Sequence, residues 1–190
     1  TEVSETKGKV VPIKNEHNEQ NLLHAAANGA ANGMQIVILI TATIIAVISL
    51  LEFVNFILTW LGQFLTIKQL TIQLILGYVL YPFTWMLGVS SPDLLAVAKI
   101  LATKIVSNEI NAYRDLMQGG VIDQISPRSG LIVKFALCGF ANIGSIGIQV
   151  GSVGAIAPAR KGDLARLAFS AMMCGFVSTC MSALIIGMLK

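Results

Sequence analysis

Three long apolar stretches organise the chain, at residues 34–60, 131–157 and 167–189. No charge falls between Gln35 and Leu51, none from Phe135 to Ala157, and none in the last stretch. At ~1.5 Å rise per residue, about twenty residues cross a ~30 Å hydrocarbon core, so each stretch predicts a transmembrane helix. The first is longer than needed and is expected to tilt or project. Residues 72–89 are also apolar, but Gly77, Pro82 and Gly88 interrupt them, with Trp60, Tyr78, Tyr81 and Trp85 nearby. Proline and interfacial aromatics together predict a bent helix lying at the membrane surface. Ser90, Pro92 and Asp93 then read as a helix start. Residues 94–113 carry Lys99, Lys104 and Glu109 and are too polar for a span. They predict a re-entrant helical hairpin, entering and leaving on one side. Its tip falls near 105–108, where Ser107 and Asn108 break the apolar pattern.

The remaining segments are polar. Residues 1–20 read as a polar cytoplasmic loop or tail. Residues 21–33, rich in Ala, Asn and Gly, predict a short amphipathic surface helix ended by glycine. Residues 60–71 and 114–129 read as connectors. Residues 158–166 hold Arg160, Lys161 and Arg166 against Asp163, which marks them cytoplasmic by the positive-inside rule. The middle span then runs inward, the last runs outward and the hairpin enters from outside. Three regions result: 1–20; 21–89, with the amphipathic helix, a long scaffold span and the interfacial helix; and 90–190, with the hairpin and the two final spans.

Composition agrees with the bilayer. Only 12% of the 190 residues are charged, where soluble domains carry about 25%. A net charge of +3 without a basic, aromatic-interleaved run gives no support for a nucleic-acid partner. Cys138, Cys174 and Cys180 show no metal spacing and read as small buried residues. The chain opens polar at Thr1, which suggests a loop entered from something upstream and so a piece of a longer protein.

Within this apolar background a few polar groups stand out. A carboxylate at membrane depth is costly, so Glu109 is a functional candidate. Asn142, Ser145 and Gln149 share one face of the glycine-rich span, and Gly147-x-x-x-Gly151 permits close helix approach. Hydrogen bonding between helices is the plainer reading of that polar face. Glu52 and Asn55 either line a pathway or sit near the interface against a neighbouring helix, and His24 reads as a surface residue. A carboxylate accepts from two hydroxyls, while an amide both donates and accepts. Glu109, Asn142 and Ser145 therefore suit a neutral ligand with vicinal hydroxyls better than an anion. This points to a solute transporter. A structural or proton-translocating subunit of a membrane complex remains the alternative. No Ser–His–Asp set, carboxylate pair or metal cluster is placed in the spans, and His17 and His24 lie outside them, so no catalytic or metal residue is assigned and an enzyme is not expected.

The run Ala102, Lys104, Asn108, Glu109, Ala112 and Tyr113 resembles the signature of the concentrative nucleoside transporter family: Gly or Ala, any residue, Lys, three residues, then Asn-Glu-Phe-Val-Ala and an aromatic or Met. Ile110 and Asn111 stand where Phe and Val are usual. Cys138-Gly139-Phe140-Ala141-Asn142-Ile143-Gly144-Ser145 is similar to the run before the family's second binding stretch. Ser126-Pro127-Arg128-Ser129 and the stretch from Ala157 to Arg160 look like family loops. The resemblance extends from about Ala25 to the end.

It implies an all-α integral membrane protein, the C-terminal half of an elevator-type homotrimer that carries nucleosides by sodium or proton symport. The plasma or bacterial inner membrane would hold it as a multi-pass protein. It implies that Glu109 in the hairpin, with Asn142 and Ser145 in a broken helix, binds ribose. Phe140 would touch the nucleobase, and the break would bring it round to Asn142. Asn108 would cap or shape the hairpin tip, and Lys104 would be a structural partner. No cofactor is implied. The coupling-ion site and the base-reading hairpin would lie in the half upstream of Thr1, and the long first span in the trimer scaffold.

Overall fold

The computed structural model describes residues 20–64, 70–156 and 158–189. The expected tail, apart from Gln20, lies outside these residues, as do the part of the first connector with Lys68, and Ala157 in the family-like loop. The chain divides into two compact units, Thr1–Val37 and Ile38–Lys190. Every described element is helical: α1 (Leu22–Phe64), α2 (Ile72–Met86), α3 (Leu94–Val106), α4 (Glu109–Met117), α5 (Val121–Gln124), α6 (Pro127–Leu137), α7 (Ile143–Ile156) and α8 (Lys161–Met188). Short 3₁₀ turns, Ser91–Asp93 and Pro158–Arg160, precede α3 and α8.

The first unit holds the start of α1. Asn21 Oδ1 accepts from His24 N–H at 2.8 Å and so caps the helix. His24 is exposed, in keeping with a surface histidine. The expected stop at Gly33 does not occur, and residues 21–33 form no separate helix: α1 is continuous for 43 residues. A glycine ends a helix cheaply by turning left-handed, and neither Gly29 nor Gly33 has positive φ.

In the second unit, α2 is capped by Thr71 Oγ1, which accepts from Leu74 N–H at 3.2 Å, and its first turn is also held by Asn55. Its Oδ1 accepts from Ile72 N–H at 3.0 Å, and its Nδ2 donates to Gln73 Oε1 at 3.1 Å. Asn55 is buried, so its role is packing, while Glu52 is exposed. Helix α2 continues through Pro82 and lies close on α3, where Gly77 makes room for the Lys99 stem. The turn out of α2 uses Gly88 at φ 78°, a conformation that costs a glycine little.

The core lies among the end of α2, α3, α4, α6 and α8. Val97, Leu101, Leu116, Ile132, Leu137 and Cys180 are buried there, and Phe83 stacks on Phe176 at 5.5 Å. Cys138 and Cys174 are exposed, contrary to expectation, because both face away from this core. Ser90 occupies the position before the 3₁₀ turn, but its hydroxyl caps nothing there. It lies 3.2 Å from Ser126 Oγ instead. Asp93, 5% exposed, turns its carboxylate onto the start of α6, accepting from Ser126 N–H at 3.0 Å and Ser126 O–H at 2.8 Å. An anion at a helix N-terminus is stabilised by the helix dipole. At the other end of that turn, Arg128 Nε donates to the Gly187 carbonyl near the end of α8 at 3.1 Å.

Two of the described helices, α1 and α8, are long and apolar enough to cross a membrane. Helix α8 takes in Lys161 and Arg166, so much of the expected basic loop is helix. Residues 131–157 are not one span. They divide between α6 and α7, with residues 138–142 as the break.

Candidate functional site

Two helix starts meet at this break. Helix α3 ends at Val106, and Ser107 and Asn108 turn the chain into α4, close to the expected tip. Asn108 is the N-cap of α4: its Oδ1 accepts from Asn111 N–H at 2.8 Å. Asn111 Nδ2 reaches back to Ser107 Oγ at 2.6 Å. The polar residue at 111 thus ties both sides of the turn, a task no valine side chain performs. Glu109 follows as the first residue of α4, where the helix dipole favours a carboxylate.

Helix α7 starts by the same device. Asn142 Oδ1 accepts from Ser145 N–H at 2.7 Å. In return Ser145 Oγ accepts from Asn142 N–H at 3.2 Å and donates to the Asn142 carbonyl at 2.6 Å. This reciprocal pair is a capping box in which serine takes the place of the acid. Asn142 is 1% exposed and Ser145 4%. The cap leaves the Asn142 amide nitrogen free to turn outward, and it donates to Glu109 Oε2 at 2.9 Å. A residue from each helix start is therefore joined across 33 positions of sequence.

Two cavities flank the break. One, about 160 Å³, is lined by Glu109, Asn108, Ile110, Asn142 and Phe140, and closed by Ile40, Ile44, Val47 and Ile48 of α1. The other, about 270 Å³, lies between α7 and α8 and takes in Ser145, Gln149 and Phe140. Phe140, 49% exposed, borders both. The candidate residues are thus brought together, but not on one wall. Glu109, Asn108 and Asn142 face the first cavity with Phe140. Ser145 faces the second, behind Asn142. The shared helical face expected for Asn142, Ser145 and Gln149 is divided because Asn142 sits at the cap. Ser152 Oγ returns to the Ile148 carbonyl of its own helix at 2.7 Å. The Gly147 and Gly151 stripe does allow close approach: Thr43 Cγ2 lies 3.5 Å from a methyl built at Gly147, and one at Gly151 would overlap Leu39.

Breaking a helix frees carbonyls on one side and amides on the other. Asn142 and Ser145 satisfy amides of α7. On the carbonyl side, Cys138 N–H turns onto Phe135 O at 3.2 Å. Tyr113 O–H donates to Lys134 O at 2.6 Å. Lys104, wholly buried, donates from Nζ to Ala136 O at 2.7 Å and to Thr179 Oγ1 at 3.3 Å, with the Phe176 ring centroid 5.3 Å away. Lys104 is the structural partner the sequence suggested. Tyr113 and Asn111 were noted from sequence only as motif positions, without a role, although the i, i+4 spacing of Ser107 and Asn111 held a signal. The α1 residues carried none, since apolar positions on a long span look alike. Among the described residues no group of three metal-binding side chains occurs, and no buried side-chain nitrogen or oxygen lacks a partner.

Gly139 sits where the break crosses α8. A methyl there would overlap Thr179 Cγ2 and approach Thr179 Oγ1 to 3.2 Å. Thr179 is held by its own bonds to the Gly175 and Phe176 carbonyls. Overpacking of this kind costs about 1–3 kcal/mol. Gly139→Ala is expected to lower the apparent melting temperature in detergent, measured by fluorescence-detected size exclusion after heating. An unchanged midpoint would refute the tight crossing.

The family described as Na+ dependent nucleoside transporter C-terminus matches residues 1–187. The rat protein Solute carrier family 28 member 3 is 38% identical, over 98% of this chain and 29% of that protein. Rat Sodium/nucleoside cotransporter 2 is 38% identical, over 88% of this chain and 28% of its own length. The chain thus spans less than a third of these two relatives. In three dimensions it is similar to CNTnw, solved as a variant in an intermediate 2 state. The TM-score is 0.83 at 36% identity, covering 92% of this chain and 44% of that one.

Proposed function

Since the chain belongs to the sodium-dependent nucleoside transporter family, we propose that it forms the C-terminal part of a cation-coupled nucleoside symporter and supplies the groups that hold the ribose. The observation that carries this is the Glu109–Asn142 contact across two capped helix starts, at the edge of a cavity bordered by an aromatic ring. A carboxylate accepts from both hydroxyls of a vicinal diol. The second Asn142 N–H donates to one of the same oxygens. Phe140 offers its half-exposed face to the base. Ser145 serves by holding Asn142, since its single proton is engaged at the Asn142 carbonyl and its side chain borders the other cavity. Asn108 sets the turn that delivers Glu109.

In this reading α3 and α4 form the re-entrant hairpin of an elevator-type trimer in a cell membrane. The long α1 belongs to the scaffold, and α6 to α8 to the moving part. Broken helices whose ends face a cavity suit binding near the bilayer midplane. Neutral polar groups around Glu109 fit a solute site better than a bare proton path. The names of the family and of the second rat relative, both referring to sodium, favour sodium over protons as the coupling ion.

The test is uptake by the whole transporter in proteoliposomes. Labelled uridine is expected to accumulate against its gradient when sodium is high outside, and not when choline replaces it. Accumulation that ignores sodium and follows a pH gradient would move the coupling to protons. A failure to accumulate any nucleoside would overturn the reading.

A further inference from the structure

Among the described residues, Lys104, Tyr113 and Glu109 of the hairpin reach the broken helix, and of these contacts only that of Glu109 with Asn142 faces the proposed ligand. From α3, Lys104 Nζ donates to Ala136 O, and from α4, Tyr113 O–H donates to Lys134 O. Both acceptors belong to the last turn of α6, whose carbonyls an uninterrupted helix would have satisfied itself. The residues whose N–H would have donated, Cys138 and Phe140, are in the break; Cys138 N–H bonds Phe135 O instead, while its thiol keeps a long contact of 3.4 Å to Lys134 O and lies 3.3 Å from Tyr113 Oη. Lys104 spends a second donor on Thr179, directly behind Gly139, and Phe176 faces the ammonium group. Lys104 thus has two hydrogen-bond acceptors and an aromatic face, and it lines neither cavity.

We infer that Lys104 and Tyr113 are positioning residues for the ligand site: they hold the carbonyl end of the α6–α7 break and thereby set where Asn142 meets Glu109. The two arms of the hairpin grip the break from opposite sides of the Ser107–Asn108 turn. Movement of the turn then moves both partners of the Glu109–Asn142 contact together, and their spacing is preserved. Neither Lys104 nor Tyr113 touches the ligand in this scheme. The inference rests on the ribose reading above.

The experiment compares uridine with 3′-deoxyuridine, which lacks one hydroxyl of the diol, in the whole transporter. Tyr113→Phe removes a single oxygen and keeps the ring in place. Removing one such hydrogen bond is expected to raise the KM for uridine about fivefold, with the maximal rate per transporter retained. The KM for 3′-deoxyuridine is expected to stay near its wild-type value, so the preference between the two shrinks. Lys104→Met, which keeps length but not the donors, is expected to go further in the same direction. If it fails to reach the membrane, Tyr113→Phe decides alone. An unchanged preference in Tyr113→Phe, or equal loss for both nucleosides in step with protein amount, would overturn the positioning role. A wild-type transporter with no preference for uridine would instead overturn the ribose reading itself.

Discussion

Glu109→Gln is expected to reduce uridine uptake by about a hundredfold, two charge-assisted hydrogen bonds being worth roughly 3 kcal/mol together. The substitution keeps volume and even keeps one acceptor for Asn142 Nδ2, now 2.9 Å from Glu109 Oε2. What it removes is the second acceptor and the charge. An amide N–H placed where a ligand hydroxyl must donate leaves two donors opposed. Folding is expected to survive, because Glu109 is only half-buried and the cap of α4 is made by Asn108. Uptake of labelled uridine, normalised to transporter at the surface, is the measurement. Normal uptake at normal expression would remove Glu109 from the site.

Asn142 carries two tasks that a pair of substitutions separates. Asn142→Ala removes the acceptor for Ser145 N–H and the donor to Glu109. Losing the cap costs about 1 kcal/mol of stability. Losing the ligand contact, together with the contact that orients Glu109, is expected to raise the KM for ribosides about tenfold. Asn142→Ser keeps a good N-cap, but its side chain is too short to reach Glu109. The serine variant is therefore expected to show near-normal thermal stability and nearly the same loss of riboside affinity as the alanine variant. If the serine variant recovers transport along with stability, Asn142 is a helix cap and nothing more.

Much of the candidate site was legible in the chain itself because its chemistry is local. A carboxylate among apolar residues is conspicuous, and the signature from Ala102 to Tyr113 names its class. The turn at Ser107 and Asn108 was readable because polar residues interrupt an apolar pattern there. The break between α6 and α7 was not readable from composition. An uncharged, glycine-bearing run of that length satisfies every rule for a span, and only the family resemblance implied its interruption. The separate surface helix at 21–33 failed for the opposite reason: its glycines permit a stop without requiring one, and α1 runs on through them. The cysteine expectation held for Cys180 alone, since an apolar segment does not say which of its faces is covered.

By itself, the order of residues determined that this is a helical membrane chain of the nucleoside transporter family, and it made Glu109 the leading candidate for a site. Hydropathy, glycine spacing and short motifs are properties of neighbours in sequence, and they survive without a fold. The tertiary structure alone decided that Asn142 spends its oxygen on Ser145 and its nitrogen on Glu109. It also decided that Ser145 looks into a different cavity, and that Lys104 and Tyr113 serve the carbonyls of a helix more than twenty residues away. Those assignments depend on which freed backbone group lies within reach of which side chain, and only the packing of α3 and α4 against α6 supplies that distance.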